Sequence, residues 1–368
     1  MAVGSRQLTV ASTETSARRL LCHLNLARGF RGGERQTELL VRALAGSGWA
    51  QRVVARAGEP LAARLRELSN VEVRECSGAL TAVRVIGRPD LIHVHEGRSL
   101  RSAWLNGMVT GAPYLVTRRV QTGPRRHPFN RMLYRRAAGI VALSKAVRAS
   151  IQQLDPSLSC VLIPSASSRL KADGTVERAL RDSWGGDFVV GHVAALVASA
   201  KGQAQIVEIA RALSDARPDM RFVLVGGGPD EDRLRDATQD LPHVILTGQV
   251  EDVGNYLAAF DVFLLPSRHE GLGSILLDAL EFGLPIVATR VGGIPEVVED
   301  GSNGILIEYG DLAGMKAALL RLATNPELRL RIRRANLEKA KLFSPERMAQ
   351  SYLTIYEQIT SGATSDGM

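Results

Sequence analysis

The sequence predicts an α/β protein of two units, each built around a parallel sheet. Three observations lead there. Short apolar runs alternate with amphipathic stretches throughout, the pattern left by strand–helix–strand units. A Pro/Ser-rich stretch, Ile163 to Ser168, interrupts the alternation like a hinge, after which it restarts. At 368 residues the chain also exceeds what one hydrophobic core supports.

The elements follow in order. Leu20 to Leu26 is an apolar run and reads as the first strand, followed by a glycine-rich loop and a helix from Glu34 to Ala45. Gln51 to Ala55, Val71 to Glu75, Leu91 to His95, Tyr114 to Thr117 and Gly139 to Leu143 read as further strands, with amphipathic segments between most of them. After the hinge, the apolar runs Phe188 to Val193, Arg221 to Val225, Val244 to Thr247, Val262 to Pro266, Ile286 to Ala288 and Gly304 to Ile307 read as strands. Gln203 to Leu213, Glu231 to Ala237, Ser274 to Phe282, Asp311 to Ala323 and Pro326 to Lys341 carry helical spacing, and Pro345 to Ile359 forms a last helix. The expected division is a lead-in over 1–17, a first unit over 18–167, a second over 168–344, and a final helix and tail over 345–368.

A hydrophobic fraction of 45% and a charged fraction of 23% describe a globular chain. Cys22, Cys76 and Cys160 are far apart and odd in number, with no Cys-x-x-Cys pair, so neither a zinc site nor a disulfide framework is expected, and a reducing cytosol suits them. No run reaches the roughly 18 apolar residues of a membrane span, and the first 17 residues lack the apolar core of a signal peptide. The net charge of +8 is unevenly placed: residues 1–165 hold 25 Lys and Arg against 10 Asp and Glu, hence +15, and the remainder 21 against 28, hence −7. The basic half should face something anionic.

Parallel sheets bind ligands where strand-to-helix loops converge, and three such loops have glycine-rich composition. The first, Arg28 to Glu34, carries Gly32 and Gly33 ahead of a helix and suits phosphate. The second, Gly226 to Asp232, resembles a dinucleotide fingerprint and a metal-binding Asp-x-Asp, but Glu231 would repel a pyrophosphate. Its acids are explained by a helix start, so no metal site is expected. The third, Pro266 to Asp278, is the strongest. Glu270 precedes a glycine-rich turn, the turn opens a helix, and Asp278 follows eight residues after Glu270. Backbone N–H groups of residues 271–275 can meet a phosphate while the two acids accept sugar hydroxyls.

The run from His269 to Gly304, HEGLGSILLDALEFGLPIVATRVGGIPEVVEDGSNG, resembles the donor-site block of the family-4 retaining glycosyltransferases of the GT-B fold. So do GGERQT near the first helix, DLIHVH at 90–95, VALSKAVRASI at 141–151, KGQ at 201–203 and LVGGGPDEDRL at 224–234. The resemblance implies two facing Rossmann-like domains, acceptor in the first and nucleotide-sugar donor in the second, with retention and no required metal or cofactor. It implies that Glu270 contacts the transferred sugar, that Gly271, Leu272, Gly273, Ser274 and Ile275 hold diphosphate and sugar, and that Asp278 holds the ribose. Lys201 would neutralise the diphosphate, Gly32 and Gly33 would close over it, and His95 would lie near the reacting centre. Three departures stand out: the second acid is Asp278 rather than Glu, Ala195 occupies a position where the family commonly carries Arg, and Ser165-Ala166 stands where the family usually has Asn-Gly after the hinge proline.

Between Arg118 and Arg136 seven arginines are interleaved with Phe129, Met132, Leu133 and Tyr134. Basic residues beside apolar ones suit docking on anionic lipid, and no stacking platform or zinc finger accompanies them, so nucleic acid is not expected as a partner. The expectation is a transferase at the inner face of the cytoplasmic membrane, acting on a lipid-linked or lipopolysaccharide-type glycan. The rival is a catalytically silent nucleotide-sugar-binding protein of the same fold.

Overall fold

A computed structural model describes residues 18–362; the expected lead-in over 1–17 and the tail beyond 362 lie outside the described residues. The first sheet contains β1 (Leu20–Asn25), β2 (Ala50–Arg56), β3 (Val71–Cys76), β4 (Leu91–Val94), β5 (Tyr114–Arg118), β6 (Gly139–Ala142) and β7 (Val161–Leu162). Its order is β3-β2-β1-β4-β5-β6-β7. The second contains β8 (Phe188–Val193), β9 (Met220–Val225), β10 (Val244–Gly248), β11 (Val262–Leu265), β12 (Ile286–Thr289) and β13 (Gly304–Ile307), in the order β10-β9-β8-β11-β12-β13. Every pairing in both sheets is parallel.

Parallel pairing requires a crossover, here mostly helical, and crossovers cover both faces of the sheet. Central strands are therefore apolar at successive residues, and β4, β11 and β12 are buried at every position. Alternate residues serve opposite cores: Leu21, Leu91 and Leu115 pack on one side of the first sheet, Cys22, Leu24 and Ile92 on the other. In each sheet the chain moves outward through three strands and then jumps back beside its starting strand, β4 next to β1 and β11 next to β8. At such reversals the loops diverge and leave a crevice at the carboxyl ends.

The segment after β7 is pinned on both sides. The Gln36 carboxamide accepts from Ala166 N (2.8 Å) and donates to Ala166 O (2.6 Å). Ser167 N donates to Phe343 O at 2.8 Å, and its hydroxyl donates to Glu281 Oε1 at 2.7 Å. The last helix, Pro345–Ser361, crosses back to the first sheet, where Met348, Tyr352, Ile355 and Tyr356 pack against Leu40, Leu44 and Leu91.

Several boundaries shift. Gly32 and Gly33 open the first helix, Gly32–Ala43, rather than preceding it. The helix expected from Asp311 starts at Leu312, with Asp311 as the cap whose side chain accepts from Gly314 N. Glycines 226–228 serve chain packing: a Cβ on Gly226 would lie 2.0 Å from Ala194 O, and one on Gly228 2.4 Å from Leu196 O. The arginine-rich segment also differs from expectation. Leu133 and Tyr134 are buried in the core, and Phe129 packs edge-on against Trp104, so these side chains are not an exposed apolar stripe. The short helix Pro128–Arg135 uses them to dock on its own sheet.

Candidate active site

The two crevices face each other. A Cβ on Gly32 would lie 3.2 Å from Ser274 Oγ, and one on Gly271 would lie 2.4 Å from the Arg119 carbonyl oxygen. Gln121 Oε1 accepts from Glu270 N at 3.2 Å, and Ser144 Oγ donates to Gly271 O at 2.6 Å. Lys145 N donates to Glu296 Oε1 at 2.7 Å. The glycine-rich turn after β11 thus lies directly against loops of the first sheet, where a side chain at residue 271 would not fit.

On the second sheet's side the loops after β8 and β11 bring Lys201 and Glu270 together. Lys201 Nζ and Glu270 Oε1 are 2.5 Å apart, with side-chain exposures of 27% and 11%. Ser267 Oγ donates to the same oxygen at 3.1 Å. The Lys201-Gly202 turn requires glycine: Gly202 has φ +76°, and a Cβ there would lie 2.1 Å from Pro266 O. Gly273, with φ +77°, caps the helix Ser274–Glu281, so Ser274 and Ile275 occupy its first turn and Leu272 anchors the loop in the core. The first N–H groups of that helix have no partner within it and favour an anion.

Asp278 lies beneath the linker between the sheets. It is buried, Ser168 N donates to Oδ1 at 2.5 Å, and Ser168 Oγ donates to Oδ2 at 3.2 Å. Each oxygen accepts one hydrogen bond from the linker between the sheets. Burial pushes its carboxyl up to about 7, with Glu281 adding to the rise and the Ser168 hydrogen bonds opposing it.

On the first sheet's side His95 follows β4 and is buried with His23 of β1 and His93 of β4. Burial pulls His23 down to about 4, and His93 and His95 well below the usual range, so all three are neutral. Their hydrogen bonds fix the tautomers. Gln51 Nε2 donates to Val41 O at 3.1 Å, which turns Oε1 toward His23 Nε2 at 3.2 Å. His23 Nε2 is therefore the donor, and its Nδ1 accepts from His95 Nε2 at 3.0 Å. That leaves His95 Nδ1 as an acceptor, facing Arg119 Nη2 at 3.4 Å. His93 contacts Tyr356 Oη and Thr117 Oγ1, each at 2.7 Å. The three rings could offer nitrogens to one metal ion, but each nitrogen already has a hydrogen-bond partner and Arg119 places a positive charge beside them. The donor set fits a polar chain better than a cation site.

Sequence reasoning placed Glu270, Lys201, Gly32, Gly33, His95 and residues 271–275 around this cleft. It did not single out Arg119, Gln121, Ser144, His23 or Gln51. Position after a strand end, read with the reversal of strand order, would have flagged Arg119 and Gln121, which follow β5.

The comparisons fit this geometry. Residues 31–166 match the family described as glycosyl transferase 4-like domain, and residues 187–325 match glycosyl transferases group 1, together about three quarters of the chain. The chain belongs to the family-4 glycosyltransferases of the GT-B fold. Among its relatives are N-acetyl-alpha-D-glucosaminyl L-malate synthase of Bacillus anthracis, 34% identical over 38% of each chain, and 2-deoxystreptamine N-acetyl-D-glucosaminyltransferase of Streptomyces fradiae, 30% identical over 68% of this chain and 66% of that one. The chain thus spans well under half the length of the first and just under two thirds of the second. The crystal structure of Anabaena HepE with UDP-glucose superposes with a TM-score of 0.79 at 21% identity, covering 93% of this chain and 99% of that one. This likeness carries the shared fold.

Proposed function

We propose that the protein transfers a sugar from a nucleotide-sugar donor to a lipid-linked or lipopolysaccharide-type glycan. In this reading the anomeric configuration is retained and neither a metal nor a cofactor is needed. The carrying observation is the Lys201–Glu270 pair at one strand-order reversal, set opposite Gly32, Gly33 and His95 at the other. The UDP-glucose held by Anabaena HepE supports the donor class. Glu270 would accept hydroxyls of the transferred sugar, while Lys201 and the N–H groups of residues 271–275 stabilise charge developing on the departing diphosphate. The bond from the anomeric carbon to phosphate oxygen breaks and a bond to the acceptor oxygen forms on the same face. The acceptor's proton passes to the leaving phosphate, which suits a site whose histidine is held neutral by burial.

The acceptor reading rests on the basic first half. Arg125, Arg126 and Arg136 are exposed and form no ion pair among the described residues. A polyamine acceptor such as 2-deoxystreptamine would be repelled by this surface, whereas a glycan on an anionic lipid would be drawn to it.

The test is donor turnover across a panel of nucleotide sugars. Glu270→Ala is expected to lower turnover by at least about 100-fold, roughly 2.7 kcal/mol of transition-state stabilisation, with the melting temperature within a few degrees of wild type. Activity should survive excess chelator. Near-normal turnover by the variant removes the site assignment, and donor binding by wild type without turnover favours the silent binding protein.

A further inference from the structure

Arg119 is a cation that the site as described does not use. It follows β5, and its guanidinium lies inside the protein. Nε and Nη1 are sealed from solvent and meet no hydrogen-bond partner, Nη2 contacts His95 Nδ1 at 3.4 Å, and the Tyr352 hydroxyl lies beside the guanidinium. No carboxylate forms an ion pair with it among the described residues. The groups that face it are Glu34, the hydroxyls of Tyr352 and Tyr356, and the three neutral histidines. Lys201 differs, because its charge is already matched by Glu270. A buried guanidinium with two unmade hydrogen bonds carries a desolvation cost that an arriving anion would offset.

Its place tells which anion. Arg119 Cδ lies 3.9 Å from the position of a Cβ on Gly33, and its own carbonyl abuts Gly271. The side chain therefore sits between the two glycine-bearing loops, one from each sheet. The chain Gln51–His23–His95 ends in an imidazole lone pair that holds Nη2. Nε and Nη1, the two donors left unpaired, point from different sides of the planar guanidinium, so each can donate to a different oxygen of a diphosphate.

We propose that Arg119 is the second cation of the donor site, binding oxygens of the nucleotide sugar's diphosphate, and that Gln51, His23 and His95 are positioning residues that hold its guanidinium in the cleft. This rests on the reading that the cleft takes a nucleotide sugar. Developing negative charge on the leaving diphosphate is then met from both halves of the molecule, by Lys201 from one and Arg119 from the other. Closure of the halves and neutralisation of the leaving group become one event.

The experiment titrates UDP, GDP, ADP, CDP and dTDP into wild type by calorimetry. The best binder is then titrated into Arg119→Met, Arg119→Lys and Gln51→Leu, with the matching nucleoside as a phosphate-free control. Arg119→Met is expected to weaken the diphosphate at least 10-fold and to leave the nucleoside unchanged. Arg119→Lys should restore part of the loss, and Gln51→Leu should weaken the diphosphate by a smaller factor. Without ligand, Arg119→Met should melt at or above the wild-type temperature, because an uncompensated charge has been removed. A structural arginine would give the opposite, a lower melting temperature with unchanged affinity, and would overturn the proposal. So would an Arg119→Met enzyme in which the acceptor KM rises and the donor KM does not, since the anion would then belong to the acceptor. If no nucleoside diphosphate binds wild type, the nucleotide-sugar reading itself falls. If wild type binds and Arg119→Met binds equally, only the role of Arg119 falls.

Discussion

Asp278 lies under the linker between the two sheets, with Glu281 one turn further along its helix and Ser168 donating to both of its oxygens. Its carboxyl titrates near 7 in the folded protein against a usual value of 3.8, chiefly because burial disfavours the anion. The folded chain thus binds a proton more tightly there than the unfolded chain. Stability contributed at this position falls as pH rises from about 4 to about 7 and is level above that, by on the order of a few kcal/mol in total. Asp278→Asn keeps an acceptor for Ser168 N and removes the titration. The expected outcome is a wild-type melting temperature that drops relative to Asp278→Asn between pH 5 and pH 7.5, then runs parallel to it. Parallel curves across the whole range would show that Asp278 ionises freely. At this scale the sequence was only half legible. The spacing from Glu270 to Asp278 and the glycines between them are local, so the turn and helix start could be read directly. The partner of Asp278 lies 110 residues away, and Arg119 meets His95 across the sheet. Such pairings depend on strand order, which composition does not state.

Strands were more legible than helices because parallel sheets bury both faces, leaving continuous apolar runs such as Val262 to Leu265. The two-residue β7 escaped notice for the converse reason, since its residues are only partly covered. The helix Gly174–Trp184 buries none of its residues, so no core-facing stripe marked it. Pro345–Ser361 was recognisable as a helix, and the structure shows what it contributes. Tyr352 and Tyr356 are fully buried against the first sheet, and their hydroxyls reach Thr117 Oγ1 at 3.0 Å and His93 Nδ1 at 2.7 Å. An element of the chain's far end thereby supports the histidine cluster behind the cleft. Tyr356→Phe leaves the packing in place but strands the His93 ring nitrogen, which costs about 1–3 kcal/mol. Tyr356→Ala opens a cavity as well and costs about 3–5 kcal/mol. Urea unfolding should rank the variants in that order, and equal losses would mean that the hydroxyl contributes nothing. Because the ring supports His93 rather than His95, donor affinity of the Phe variant should stay within about threefold of wild type, roughly 0.65 kcal/mol.

Across the whole molecule the charges are sorted by half, +15 over residues 1–165 and −7 over the rest. No helix among the described residues is long and apolar enough to cross a membrane. The structure narrows which of the seven arginines from Arg118 to Arg136 could serve. Arg119 keeps its guanidinium Nε and Nη1 inside the protein, and Arg118 donates to Thr122 O and to Tyr134 Oη. Arg135 pairs with Asp155 at 2.5 Å, which together with hydrogen bonds from Ser157 holds the Asp155 carboxyl down at about 2, and Arg131 lies 3.9 Å from the same oxygen. Arg125, Arg126 and Arg136 remain as exposed charges. At about 1 kcal/mol for each basic residue near an anionic surface, the three contribute about 3 kcal/mol, enough for weak, reversible docking. With Leu133 and Tyr134 in the core, this attraction has little apolar support and is screened over about 8 Å at physiological salt. Binding to vesicles should therefore grow with anionic lipid content and be lost almost entirely as salt is raised several-fold. Arg125→Glu with Arg126→Glu turns the three free charges from +3 to −1 and should abolish co-sedimentation while leaving donor turnover on a soluble acceptor intact. Co-sedimentation that persists in high salt, or in the double variant, would place the membrane contact elsewhere on the protein and leave this surface to the acceptor glycan or to solvent.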